Sequence, residues 1–297
     1  MNPQPKFNWP EDHKCAAVLS FDVDAESAIL AMDRKYAQRA STMSHQAYGP
    51  KVGVPRLLGE LDQAGVKATF FIPGFTATRY PDLVRRIVAE GHEVGWHNDL
   101  HEALYTLDED QERAILERGA EVLEPLTGYR PTGYRAPWWE LNPRTPELLA
   151  EIGFEYDSSM MDDDVPYILE TSAGPIVELP VHWLLDDWEQ YGFLGDPSIG
   201  SVIETPRKAF DLWSLEFEAM HEEGCLFMLT MHPFLSGRPS RAKNVGRIVE
   251  FGRNLGNVWF TTAAEVAAHV EGVVKENDYR RLTVPFEEEA VVDKGPR

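Results

Sequence analysis

The chain has 297 residues, with 28 Lys and Arg against 49 Asp and Glu, a formal net charge of −21 and 43% hydrophobic residues. That is a globular composition with enough length for a large α/β domain. The charge argues against nucleic-acid partners and against an anionic membrane surface, since either would repel it.

Cys15 and Cys225 have no CxxC neighbour and sit in apolar stretches, so they read as small buried hydrophobes. The opening MNPQPKFNWPEDHK lacks the apolar run of a signal peptide, and no stretch approaches the ~18–20 apolar residues of a membrane span. A cytoplasmic protein is therefore expected.

In chain order, the first predicted strand is CAAVLSFD, Cys15 to Asp22, an apolar run ending in a carboxylate. Residues 26–50 follow as a long connection of weak periodicity, which suits a lid or an active-site wall. The spacing then predicts a helix at 54–64, a strand at 67–73, a helix at 81–90 and a strand ending at His97. A longer acidic helix is expected at 107–126, a strand at 132–135, a helix at 145–152 and a strand ending at Asp157. PIVELPV, CLFMLTMH and NVWFT read as later strands. Helices are expected at 207–223, 240–254 and 263–271, the last with Thr262 and Glu265 as a capping box. Residues 272–297 are charged and poorly patterned, an extension expected to pack on a neighbour or fray. Alternating strands and helices without a repeat or linker predict one α/β domain over 1–297, its parallel sheet open or closed into a barrel.

In such folds reactive side chains gather at the carboxyl ends of the strands. Asp22 and Asp24 end the first strand with a period of two, so they point the same way. Alone, the pair reads equally well as an Asp-rich turn. His97 ends the third, and His101 follows in a stretch where Asp99 and Glu102 have capping-box spacing. A helix starting there would keep His101 neutral, as a metal ligand must be. Arg135 ends another strand, ahead of Pro137, Trp138 and Trp139. His232 ends the strand 225–230.

Together these groups form a set. Asp24, His97 and His101 offer one oxygen and two nitrogens to a divalent ion, the ligand count of a catalytic zinc site. The same donors accept Fe, Co, Ni or Mn. Asp22 is left as a free carboxylate placed to take a proton from water, with Arg135 to orient it. His232 is placed to protonate a leaving nitrogen. A metal, a base and an acid are what hydrolysis of an amide-type C–N bond requires.

These motifs resemble the polysaccharide deacetylase family, the NodB-homology proteins of carbohydrate esterase family 4. Ser20–Asp24 resembles its first motif, in which the earlier Asp is the base and the later one binds metal, here split by Val23. His97 to His101 is similar to its HxxxH metal motif, Arg135 to Trp138 to its RxPW motif, and Leu229 to His232 to its LxxH motif. The fourth motif is blurred, with Asp157-Ser158-Ser159 and Asp186-Asp187-Trp188 both candidates. The resemblance implies a distorted (β/α) barrel of roughly seven units with the metal at the strand ends. FDVD and PVHWLLDDW look closer to a cytosolic sub-branch that includes cyclic imide hydrolases and allantoinase-like enzymes.

The expected function is therefore a metal-dependent hydrolase opening small cyclic imides or amides, with N-deacetylation of N-acetylated sugars as the alternative. In the first case His45 and Tyr48 of the 26–50 segment, together with Trp138, Trp139 and His182, are expected to line a pocket for a small ring. The tail at 272–297 suggests a homo-oligomer.

Overall fold

The computed structural model describes residues 7–196, 198–200, 203–276 and 281–283. The first strand, β1 (Cys15–Asp22), is buried along its whole length, as is β2 (Thr69–Ile72). A strand buried on both faces belongs in a parallel sheet with cover on each side, which explains why these segments read as apolar runs rather than alternations. The remaining strands are β3 (Glu93–Trp96), β4 (Gly133–Tyr134), β5 (Tyr156–Asp157), β6 (Tyr167–Thr171), β7 (Gly174–Glu178), β8 (Leu226–Met231), β9 (Val258–Thr261) and β10 (Arg281–Thr283). Their order is β10-β6-β7-β5-β4-β3-β2-β1-β8, and β9 pairs with the first half of β1. All neighbours are parallel except β6 and β7, which form a hairpin.

The sheet curls on itself. Beyond β8, Thr230 bridges to Asp186, and the Leu226 amide donates to the Asp164 carbonyl. The result is a distorted (β/α) barrel in a single domain. Along β1, Cys15, Ala17, Leu19 and Phe21 pack outward under the helices. Ala16 and Val18 face the interior with Met228, Trp139 and Val181. The same inward period reaches Ser20 and Asp22 on β1, and Thr230 and then His232 on β8, where Ser20 and Thr230 are register partners. The interior is thus apolar at the amino ends of the strands and polar at the carboxyl ends.

The expected helices are present at Val54–Ala64, Pro81–Ala89, Glu109–Thr127, Thr145–Ile152, Pro206–Glu223, Pro239–Leu255 and Ala263–Glu276. Thr262 and Glu265 exchange the reciprocal bonds of a capping box.

Three expectations need correction. Residues 26–50 are not a weakly structured connection: they fold into helices Ser27–Met32 and Ala40–Tyr48 around a 3₁₀ turn at Arg34–Gln38. Each piece is too short to show a helical period, and Ile29, Leu30 and Tyr36 bury a small separate cluster with Leu100. No helix starts at Asp99. The capping box lies at Asp108 and Gln111, and Asp99 pairs instead with Arg118 at 2.8 Å. Finally, β6 was not foreseen, and part of the 272–297 tail adds to the sheet, Arg281–Thr283 lying parallel to β6. The other residues expected as a tail beyond Glu276 lie outside the described residues.

Candidate active site

At the carboxyl ends of β1, β3 and β8 a cavity of about 130 Å³ is lined by Asp22, Asp24, His97, His101, Asp186 and His232. Its apolar walls are Trp138, Trp139, Trp183 and Trp188, with Ala28 from the first short helix. Asp22 and Asp24 are each 2% exposed. Between them Val23 turns into the core, its amide donating to the Phe71 carbonyl, so the interposed residue leaves both carboxylates on the cavity.

Asp24 is the hub of the metal-type cluster. Its Oδ1 lies 3.4 Å from His97 Nε2 and its Oδ2 lies 3.6 Å from His101 Nε2. Among the described residues, Asp24 Oδ1 is buried without a hydrogen-bond partner. Burial disfavours its charge, but His101, His97 and His232 outweigh that and hold the carboxyl well below the usual range. His97 Nδ1 donates to the Arg135 carbonyl at 2.7 Å, which fixes the ring with Nε2 turned toward Asp24. Burial lowers His101 to about 4, so the imidazole is neutral, by desolvation rather than by the helix terminus expected for it. One carboxylate oxygen and two imidazole nitrogens converging within 4.8 Å, one of the carboxylate oxygens unpartnered among the described residues, fit a divalent cation.

Arg135 is completely buried and bonded on every side. Its Nη1 donates to Asp22 Oδ1 and Ser20 Oγ at 2.9 Å and to Thr230 Oγ1 at 3.2 Å. Nε and Nη2 donate to Ser158 O and Oγ, and the guanidinium covers the Phe71 ring at 4.2 Å. A buried ion pair of this kind adds little net stability, but its geometry is fixed.

His232 Nδ1 lies 2.8 Å from Asp187 Oδ1, which also accepts the His232 amide, while Ser236 donates to Asp187 Oδ2. Burial works against the imidazolium, yet Asp186, Asp187 and Asp24 hold His232 well above its ordinary value. Burial lifts Asp186 to about 7, against the pull of His232. Of the two candidates for the blurred motif, Asp186-Asp187-Trp188 stands at the histidine. Asp157-Ser158-Ser159 instead stands behind Arg135.

Five non-glycine residues around the cavity have left-handed backbone: Ala25, Asn98, His101, Trp138 and Trp139, with φ between 50° and 62°. Such positions cost about 1–3 kcal/mol each and persist only where the surroundings enforce them. Here they turn the chain sharply just past β1, β3 and β4, where the side chains must enter the cavity.

Trp138 and Trp139 line the cavity, and the Trp139 ring stacks on Trp183 at 4.5 Å. Three predicted lining residues do not. His45 packs edge-on against Phe234, and Tyr48 binds the Gly237 carbonyl under the Arg238 guanidinium. His182 is half-buried near Glu216 and Asp164. Their helices and loops were placed from position in the chain alone, and each side chain turns into its own packing. Glu189, Asp186 as a cavity residue, and the Ser20–Thr230–Ser158 cradle of Arg135 were not foreseen. Only Ser20, in the inward period with Asp22, left a readable signal.

A curved parallel sheet with a carboxylate–histidine cluster at its strand ends is the arrangement of a barrel hydrolase. Comparison with known proteins is specific. The polysaccharide deacetylase family model matches residues 47–156. A peptidoglycan deacetylase of Helicobacter pylori is 31% identical over 76% of this chain and 86% of its own length. The structure of a Mycobacterium smegmatis protein assigned to the polysaccharide deacetylases superposes with a TM-score of 0.90 at 50% identity, covering 96% of this chain and 99% of that one. The structure of Puue allantoinase gives 0.80 at 25% identity, covering 91% and 95%. The chain belongs to the polysaccharide deacetylase family.

Proposed function

We propose that the protein is a metal-dependent N-deacetylase that cleaves the amide C–N bond of N-acetylated sugars. The observation that carries this is the convergence of three differently prepared groups on one cavity: the Asp24–His97–His101 cluster, Asp22 held by Arg135, and His232 held by Asp187. A divalent ion such as zinc on Asp24, His97 and His101 would supply a Lewis acid for the acyl oxygen.

The chain's own groups account for the proton traffic. Asp22 Oδ2 is free of Arg135 and accepts a proton from the attacking water. His232 Nε2 faces the cavity and donates to the departing nitrogen, while Asp187 fixes the ring through Nδ1. The tryptophans give the cavity an apolar wall beside the reacting groups. The cavity is large enough for an acetamido group. It shares His101 and Trp138 with a wider groove lined by Met32, Arg34 and Tyr105, where a sugar would lie. The Helicobacter peptidoglycan deacetylase supports the same substrate class.

A second reading, opening of small cyclic imides or amides, is favoured by the ring-sized cavity between Trp138, Trp139, Trp183 and Trp188 and by the likeness to an allantoinase. Incubation with N-acetylglucosamine oligomers and, separately, with succinimide-type rings distinguishes the two. Acetate release from oligomers with rings untouched is expected. Ring opening without acetate release would replace the first reading by the second.

A further inference from the structure

We propose that Asp157 and Glu178 share a single proton as a buried acid pair, and that this pair positions Arg135. The two are register partners on adjacent parallel strands, Asp157 on β5 and Glu178 on β7, so their side chains leave the sheet side by side. Both are fully buried, and no lysine or arginine forms an ion pair with either among the described residues.

Their hydrogen bonds are full on one side only. Glu178 Oε1 accepts the Ser159 and Met160 amides at 3.0 and 2.9 Å, and Asp157 Oδ1 accepts Ser159 Oγ at 2.7 Å. Among the described residues, Asp157 Oδ2 and Glu178 Oε2 are buried with no donor if both acids are charged. One proton between them removes a charge and supplies the missing hydrogen bond.

The turn that the pair ties down is the one that holds Arg135. Ser158 O and Oγ take Arg135 Nε and Nη2, and Ser159 Oγ takes the Ala136 amide at 2.9 Å. The pair therefore reaches Asp22 through the Ser158–Ser159 turn and the guanidinium, and acts as a positioning element. Its part in catalysis rests on the proposed role of Asp22, whereas the shared proton does not.

The charged and titratable neighbours leave the proton in place. Arg135 and Tyr134 face the pair from β4, with the guanidinium already committed to Asp22 and the phenol to Asn98. Tyr167 on β6 donates its hydroxyl to Asp162. On the covering helices, Glu147, Glu151 and Glu265 are bonded elsewhere, to Ser172, Arg113 and Thr261. Burial and the neighbouring Asp157 both push Glu178 upward from the ordinary 4.5.

Glu178→Gln and Glu178→Ala test the proposal in the full-length protein. Glutamine keeps an oxygen for the two amides and offers N–H to a charged Asp157, whereas alanine removes both. A group raised in the folded state stabilises fully below its unfolded pKa and loses that contribution as pH rises through the folded one. The pair's contribution to the melting temperature should therefore shrink as pH climbs above 4.5, so Glu178→Gln, which lacks that titration, should gain stability relative to the wild type over the same range. The infrared difference spectrum of wild type against Glu178→Gln at pH 7 should show a protonated carboxyl C=O band, the Asp186 carboxyl being common to both and cancelling. For activity, Glu178→Ala is expected to lower kcat about tenfold or more at nearly constant KM, with Gln restoring most of it.

A missing acid band, or an unchanged pH slope in a folded Gln variant, overturns the shared proton. Full kcat in Glu178→Ala overturns the positioning role. The melting and infrared arms use no substrate, so they stand apart from any failure of the deacetylase reading.

Discussion

Asp22 and Asp24 are two residues apart, equally buried, and held in opposite ways. Asp22 is anchored by a guanidinium, while Asp24 faces imidazoles and keeps one oxygen unpartnered. The base can therefore be tested apart from the metal ligands. Asp22→Asn should retain bound metal, measured by elemental analysis, and lose about 10²–10⁴-fold in kcat, the usual worth of a positioned base. Asp22→Asn with full activity would remove Asp22 from that role.

His92 offers a pH test remote from the site. Its Nδ1 accepts the buried Ala68 amide at 3.1 Å, and burial lowers its pKa from 6.5 to about 4. A group favouring its neutral base in the fold stabilises above pH 6.5, and that contribution is lost as pH falls toward 4, because the unfolded chain binds the proton first. His92→Leu should cost about 1–3 kcal/mol at pH 8 by orphaning the Ala68 amide. Its melting temperature should also fall less steeply than that of the wild type between pH 6.5 and 4.

At the scale of elements, the principal strands and helices were readable because each is long enough to show its period. β1 and β8 are buried runs, and the helix at Val54–Ala64 keeps its apolar residues on one face. The polar ends of β1, β3, β4 and β8 were readable for the same reason: Asp22, His97, Arg135 and His232 fall where the strand period stops. What could not be read were contacts made by chain reversals. The two-residue strands β4 and β5, the β6–β7 hairpin and the broken helices of 26–50 have too few residues for a period, and their form is set by packing. His45 and Tyr48 were misplaced on that account.

One such contact is testable. The π-type turn at Gly49–Gly53 rests directly on the turn after His232. A Cβ on Gly53 would stand 2.2 Å from the Pro233 carbonyl oxygen, and one on Gly237 would stand 2.3 Å from Gly53 Cα. Gly53→Ala should force the two turns apart and destabilise by about 1–3 kcal/mol, seen by denaturant melts. Because Pro233 adjoins His232, kcat should fall as well; an unchanged midpoint would show that the contact is loose.

For the molecule as a whole, the charge of −21 has a divided meaning. Asp22, Asp24, Asp186 and Asp187 are carboxylates gathered round the cavity, where histidines and Arg135 offset them. Asp157 and Glu178 are buried away from solvent, and the proposed shared proton would remove one of their charges. Glu112, also buried, is tied by Asn142, Arg144 and Thr145 and anchors the loop after β4. Exposed residues such as Asp110 make up much of the excess and bear on solubility rather than chemistry. Among the described residues no helix is long and apolar enough to cross a membrane.

The central claim is that Asp24, His97 and His101 hold the ion on which amide cleavage depends. The direct measurement is acetate release from N-acetylglucosamine oligomers by chelator-stripped protein, followed as Zn²⁺ is added back in known equivalents. Activity should be absent at the start and rise to a plateau at one ion per chain, and His97→Ala should show neither the rise nor the bound ion. Full acetate release by the stripped protein would contradict the account.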